Sequence, residues 1–269
     1  MSEQKRVVVT GATGLIGRPL CRALIEKGYG VVVFSRDPEA AKSKVPGALE
    51  YVAWEPEGSG PWATAIDGAY AVIHLAGEPF FGKKVSRDDV DATTQSKIES
   101  TRGLVTAMSK SVHKPKVFIN GSSIGVYGFT GFSDEKLTEK SPQGTDHWAE
   151  GNVAWEAAAL PAAEGVIRTI LLRTGVVFGV DGGALVSQLP QFERGHGGTV
   201  APGTQWFSWI HIDDQVGIML RILEDQRISG PVNVSAPNPV RHQEYAAIVG
   251  KVLVQGCSVL TNFQHKILS

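Results

Sequence analysis

Val7-Val8-Val9-Thr10-Gly11-Ala12-Thr13-Gly14-Leu15-Ile16-Gly17, close to the start of the chain, is the stretch that decides the fold. Three consecutive β-branched residues read as a short buried strand. A glycine-rich turn ends it, and Leu15, Leu20, Ala23 and Leu24 then recur at helical spacing until Gly28 stops the helix. A strand running through glycines into a helix is suited to a pyrophosphate. Glycine allows the sharp turn, the close approach of backbone to the ligand and the tight meeting of helix and strand. The helix N-terminus adds free N–H groups and a positive dipole end. The spacing is GxxGxxG, not GxGxxG, so the reading leans on its context between strand and helix. The contacts expected from this turn are Gly11, Thr13, Gly14, Leu15, Ile16 and Gly17.

Outward from that turn, strand and helix signals alternate. Apolar runs near 31–34, 51–54, 71–75, 116–120 and 166–173 read as strands, and 95–109 and 150–163 as helices. Strands that are apolar throughout belong to a parallel sheet covered on both faces. The expected fold is α/β: a doubly wound parallel Rossmann sheet over residues 1–175, with a small C-terminal substrate-binding region over 176–269. In that second region 178–209 is rich in glycine, holds Pro190 and Pro202, and reads as loops with one short helix. Elements returning to the sheet are expected near 209–224 and 231–235.

The second strand ends in Ser35-Arg36, where an NAD site carries an acidic residue for the ribose 2′-hydroxyl. A hydroxyl and a guanidinium suit the 2′-phosphate of NADP(H) instead. Asp37 is discordant and is read as facing solvent; an exposed arginine without a ligand is the alternative reading of Arg36. Leu75, Ala76 and Gly77 are small enough to lie against the cofactor after the fourth strand, while His74 reads as a satisfied core residue. Asn120-Gly121-Ser122-Ser123-Ile124-Gly125-Val126-Tyr127-Gly128 gathers hydroxyls and glycines at a strand end, as an active-site edge does.

Composition narrows the partners. The chain has 269 residues and a formal net charge of -1, so no global field recruits nucleic acid or an anionic membrane. No apolar run matches a membrane span, no secretory leader is apparent, and no metal-ligand spacing occurs. Cys21 and Cys257 lie far apart, which points to the cytoplasm or another reducing compartment. The expected partner is a small molecule of unknown identity; a homo-oligomer is left open.

TGATGLIG, HLAG, SSIGVYG and WIHIDD together resemble the extended short-chain dehydrogenase/reductases of the NAD-dependent epimerase/dehydratase group. More narrowly, GEP after HLA, TGVVFGVDGGAL, GTQWFSWIHIDD and SGPVNVSAPNPV resemble an atypical branch, the epimerase-like oxidoreductases sometimes labelled cell-division inhibitor proteins. The resemblance runs from about Arg6 to about Leu253. It implies NADP(H) held through Ser35, Arg36, Leu75 and Ala76, with Lys97, Ser122 and Val176 as further contacts. His211-Ile212-Asp213-Asp214 resembles a returning strand and helix cap, with an aspartate as the capping residue. Trp148, Trp155, Trp206 and Trp209 read as core or pocket wall, and the charges at 136–140 as solvated.

The sequence departs from the group's pattern twice. The Tyr-x-x-x-Lys pair that carries proton transfer is missing: the tyrosine position falls on His147 or Trp148, the lysine position on Gly151 or Asn152. Ser123 remains as the motif serine, and His147 is the other proton-transfer candidate, a surface histidine being its plainer reading. The end of the chain, VQGCSVLTNFQHKILS, carries no resemblance and reads as a truncated or divergent terminus. The expected function is an NADPH-dependent oxidoreductase acting on a small carbonyl compound, with Ser123 polarising the oxygen. The alternative is a non-catalytic NADP(H)-binding sensor or interaction protein linked to cell or organelle division.

Overall fold

The valine runs become two adjacent interior strands of a seven-stranded parallel sheet. In the computed structural model, which describes residues 4–56, 60–78, 86–128 and 133–253, β1 (Arg6–Thr10) leads through the glycine turn into α1 (Gly17–Glu26) and β2 (Gly30–Ser35). There follow α2 (Pro38–Lys44), β3 (Glu50–Ala53), β4 (Ala71–His74), α3 (Arg87–Lys110), β5 (Val117–Ser123), α4 (His147–Glu164) and β6 (Arg168–Thr174). The remainder comprises β7 (Val176–Gly179), α5 (Gly183–Glu193), β8 (Trp206–Phe207), β9 (Trp209–His211), α6 (Ile212–Glu224), β10 (Gly230–Val234), β11 (Val240–Arg241) and α7 (His242–Leu253). The main sheet runs β10-β6-β5-β4-β1-β2-β3. The strand order reverses between β1 and β4, and a ligand crevice belongs there, beyond the carboxyl ends of the strands.

Both faces of the sheet are covered, which is why its strands show no polar alternation. Val7, Val9, Val31, Val33, Ile73 and Ile119 pack with Leu20 and Leu24 of α1 and with Met219 and Ile222 of α6. The opposite residues, Val8, Val32, Phe34, Val72 and Phe118, pack with Leu104 and Met108 of α3 and with Ala159 of α4. Trp54 and Trp62 close the β3 end of that second layer.

Several boundaries differ from the sequence reading. α3 starts at Arg87 rather than near 95, because a capping box between Ser86 and Asp89 begins it on a stretch with little apolar periodicity. α2 had no expected counterpart. Asp37 caps it by accepting from the Ala40 N–H, with Pro38 in the first turn, so this carboxylate is engaged rather than simply solvated. α6 is capped by the His211 side chain, which accepts from the Asp213 N–H, and not by an aspartate.

Residues 178–209, read as loops with one short helix, hold that helix as α5 and add the short strand β8, while β9, α6 and β10 stand where returning elements are expected. β7 pairs in parallel with β9, and β8 pairs antiparallel with β11. Phe207 stacks on Tyr245 at 4.7 Å between ring centres, and Phe178 on Tyr245 at 5.5 Å. β10 returns to pair with β6 from Gly230↔Ile170 to Val234↔Thr174, so the edge of the main sheet comes from this region. The segment at 133–144 is tied down as well. The Asn233 N–H donates to Glu139 Oε1, and Arg173 donates to the Glu139 carbonyl, so Glu139 is an anchor of this segment while remaining exposed, as expected of the charges at 136–140. Residues 254–269, which include Cys257, lie outside the described residues. No helix of the described residues is long and apolar enough to cross a membrane.

His74 ends β4 with no exposed surface. Thr10 Oγ1 accepts from the Leu75 and Ala76 N–H groups, so its own proton goes to His74 Nδ1, 2.7 Å away. Ser100 donates to the Lys97 carbonyl and therefore accepts from His74 Nε2–H at 3.1 Å. The ring is neutral, and burial, helped by the nearby Lys97 charge, pushes its pKa down from 6.5 to about 3. Acid therefore favours the unfolded chain, whose histidine takes up a proton near pH 6.5 while the native ring resists until about pH 3. Between those limits stability falls as pH falls, by at most about 1.4 kcal/mol per pH unit from this group. His74→Gln is expected to be less stable than wild type at pH 7, yet to lose less on acidification. Urea midpoints at pH 7 and pH 5 measure this; equal losses in the two proteins would show that the native ring protonates freely.

Candidate functional site

The carboxyl ends of β1, β4, β5 and β6 open into a cavity of about 830 Å³. Its floor is the glycine turn, and the three glycines serve different ends. Gly11 has φ +66°, and a Cβ there would lie 2.6 Å from the Leu75 carbonyl carbon. A Cβ on Gly17 would lie 2.2 Å from the Gly11 carbonyl oxygen. Those two positions are closed by backbone. Gly14 is exposed, and a Cβ on it would meet only the Gly11 oxygen, at 3.2 Å. Its missing side chain leaves room in the cavity itself. α1 has neither a capping side chain nor an acidic residue in its first turn. Asp146 of α4, by contrast, accepts from the N–H groups of Trp148 and Ala149. The positive end of α1 thus lies at the cavity with no side chain compensating it, although the Arg18 N–H is taken by the Gly14 carbonyl and Pro19 has none.

Most of the residues expected from sequence come together here. Gly11, Gly14, Leu15, Ile16 and Gly17 line the cavity, as do Leu75, Ala76, Gly77, Lys97, Ser122, Ser123, His147 and Val176. Thr13, Ser35 and Arg36 are not among its lining residues. Ser35 Oγ accepts from the Asp37 N–H and donates to the Asp37 carbonyl, which shapes the turn after β2. Arg36 is exposed on that turn and forms no ion pair among the described residues. Asp37 directs its carboxylate to the Ala40 N–H of α2 and makes no ion pair with Arg36 among the described residues.

Lys97 runs beneath Gly77, where a Cβ would meet its Cε at 2.8 Å, and its amine lies 4.9 Å from the centre of a Trp155 ring. Burial lowers its pKa. Ser122 and Ser123 diverge. The Ser122 hydroxyl donates to Glu156 Oε1 at 2.6 Å, so its proton is committed to a buried network although the residue lines the cavity. In that network Arg173 holds Glu156 through two bonds of 2.9 Å and donates to the Tyr127 hydroxyl at 3.0 Å. Burial works against the Arg173 charge, but the bonds to Glu156 and Tyr127 outweigh it and raise its pKa. Ser123 lines the cavity, its Oγ accepting from the Gly125 N–H at 3.0 Å.

His147 is half exposed at the first turn of α4. Arg87 can only donate, so His147 Nδ1 accepts from it at 3.3 Å and Nε2–H turns to Asp91 Oδ1 at 2.7 Å. Both ring nitrogens are occupied by α3. From His147 to Glu164, α4 carries neither tyrosine nor lysine. It presents Trp148, Gly151, Asn152 and Trp155 to the cavity instead. Val90, Asp91 and Thr94 of α3 carry no signal in the sequence, and Asn152 of α4 enters there only as a position where the missing lysine would stand. The first three fell outside a helix thought to start later, and an asparagine in a helix carries no signal of its own. No group of His, Cys, Asp or Glu among the described residues could hold a metal ion.

Comparison with known proteins agrees with this geometry. The chain is 37% identical over 254 residues to the Arabidopsis thaliana epimerase family protein SDR39U1 homolog, chloroplastic, covering 93% of this chain and 71% of that protein. The structure of a nucleoside-diphosphate sugar epimerase from Corynebacterium glutamicum superposes with a TM-score of 0.78 at 34% identity, covering 93% of this chain; the chain spans 50% of that protein. The human epimerase family protein SDR39U1 (isoform 2), solved with NADPH, superposes with a TM-score of 0.76 at 29% identity, over 91% of this chain and 80% of the human one. The model of the NAD dependent epimerase/dehydratase family matches residues 7–235, and the chain belongs to that family.

Proposed function

We propose that the protein is an NADP(H)-dependent oxidoreductase of intrinsically low turnover, acting on a small carbonyl or alcohol compound. The observation that carries this reading is the cradle at the switch point, an uncapped α1 start beside the open face of Gly14, with an exposed Arg36 after β2 that has no ion pair among the described residues. These residues fit NADP(H). The glycine turn and the positive end of α1 suit the diphosphate, Leu75, Ala76 and Gly77 give the dinucleotide a flat apolar wall, and Arg36 suits a 2′-phosphate. The human relative was solved with NADPH. When bound, the cofactor supplies or accepts a hydride.

Ser123 is the hydroxyl closest to the role of polarising a ligand oxygen. Among the described residues, the tyrosine and lysine that would give that oxygen a proton have no counterpart on α4. Lys97 lies under Gly77. With the His147 ring proton directed at Asp91, the proton in this reading comes from water or from the ligand itself. The same lack favours the second reading, a protein that binds NADP(H) without turning anything over.

NADPH is expected to bind more tightly than NADH, and Arg36→Ala to remove most of that preference. One guanidinium–phosphate contact corresponds to about 1.5–3 kcal/mol, or roughly ten- to a hundredfold in affinity. Titration of both cofactors against both proteins decides it, and equal affinities in wild type would sink the idea. Among the glycines, Gly14→Val should abolish binding with little change in melting temperature, whereas Gly17→Ala should lower the melting temperature. If Gly14→Val fails to fold, Gly14 serves the fold and not the ligand. With NADPH and a panel of aldehydes, ketones and quinones, turnover should stay below about 1 per second, since general acid–base assistance worth about 10²–10⁴-fold is absent. Fast turnover of any of them would refute the low-turnover claim, and none at all favours the second reading.

A further inference from the structure

Gly125 sits in the 3-10 turn Ile124–Tyr127, with no left-handed backbone that would demand glycine. What a side chain there would displace is a pair of polar side-chain ends. A Cβ on Gly125 would lie 2.8 Å from Asn152 Nδ2 and 3.2 Å from Ser123 Oγ. The carboxamide and the hydroxyl thus flank one small gap, and all three residues line the cavity.

Their hydrogen-bond inventory leaves two donors at this gap. Asn152 Nδ2 donates one proton to the Trp148 carbonyl at 2.8 Å, a bond that fixes the amide's orientation and leaves its second N–H. Ser123 Oγ accepts from the Gly125 N–H at 3.0 Å, and its own O–H has no acceptor among the described residues. Two donors beside a gap kept open by glycine suit a ligand atom that accepts two hydrogen bonds.

We infer that Ser123 and Asn152 together form the seat for a carbonyl or hydroxyl oxygen of the ligand, held open by Gly125. The inference rests on the reading of the cavity as an oxidoreductase site, and it adds Asn152 as a residue that touches the ligand. Neither group gives up its proton at neutral pH, so the seat polarises and orients the oxygen as an oxyanion hole does. It favours ligands with an exposed C=O or C–OH over ligands whose reacting end is apolar.

The test uses p-dimethylaminocinnamaldehyde, whose absorption band moves to longer wavelength when its carbonyl oxygen accepts hydrogen bonds. Wild type, with and without NADP⁺, is expected to bind it with a red shift. Asn152→Asp, of the same shape but lacking the donors, and Ser123→Ala should each reduce that shift and weaken aldehyde binding about tenfold, the loss of one hydrogen bond. Gly125→Ala should act similarly by filling the gap with both donors in place. Thermal unfolding confirms that each variant is folded, and a purely structural role for Asn152 would leave the red shift of a folded variant unchanged. A wild type that shows no red shift at saturating aldehyde, or an Asn152→Asp protein that shifts as wild type does, overturns the seat. Parallel NADPH titrations read the cofactor site separately. Failure of NADPH to bind overturns the cofactor reading, while the aldehyde comparison in the cofactor-free protein still decides the seat.

Discussion

The fold depends first on three stretches of backbone meeting with no side chain between them. The Gly11 carbonyl lies against Gly17 at the start of α1, and the α-carbon of Gly11 lies against the Leu75–Ala76 peptide beyond β4. At distances of 2.2–2.7 Å to a notional Cβ the obstructing atoms are backbone and cannot swing aside, so even a methyl group would force strand and helix apart. This contact aims α1 at the cavity. It also brings β4 close enough for the Thr10 hydroxyl to take the N–H groups of Leu75 and Ala76, with His74 and Ser100 completing the chain behind it.

A second constraint holds the serine-bearing edge in place. The Glu156–Arg173 pair is almost wholly buried, and it engages α4, β5, β6 and the turn before Gly128 through Ser122 and Tyr127. Desolvation makes such a pair a modest net stabiliser, but removing one partner strands a buried charge at a cost of about 3–5 kcal/mol. Its value is positional. With the Ser122 hydroxyl drawn into the network, the next residue is left to face the cavity, so two adjacent serines have opposite duties.

What the sequence made legible follows from local physics. The glycine turn, the apolar strands and the parallel sheet could be read because backbone sterics and burial act on near neighbours. α2 was missed because a short, mostly polar helix is carried by its cap rather than by periodicity. The start of α3 was set too late for the same reason, which hid the cavity wall formed by Val90, Asp91 and Thr94. Ser122 and Ser123 could not be told apart, since the deciding partner, Glu156, stands on another element. Asn152 acquires its place only from the gap beside Gly125, a relation between residues far apart in the chain.

The return of β10 to the edge of the main sheet makes the sheet a closed clasp as well as a platform. The chain leaves the nucleotide-facing half at Thr174, builds the small sheets and α5, and comes back to lie along β6, where Tyr127 grips Asn233 at 2.6 Å. The two halves therefore share one hydrogen-bonded ladder. A protease cut in the exposed stretch between Phe192 and Gly203 would leave both fragments bound together. Evolution, likewise, could not exchange the C-terminal half as a detachable cassette without supplying a new seventh strand.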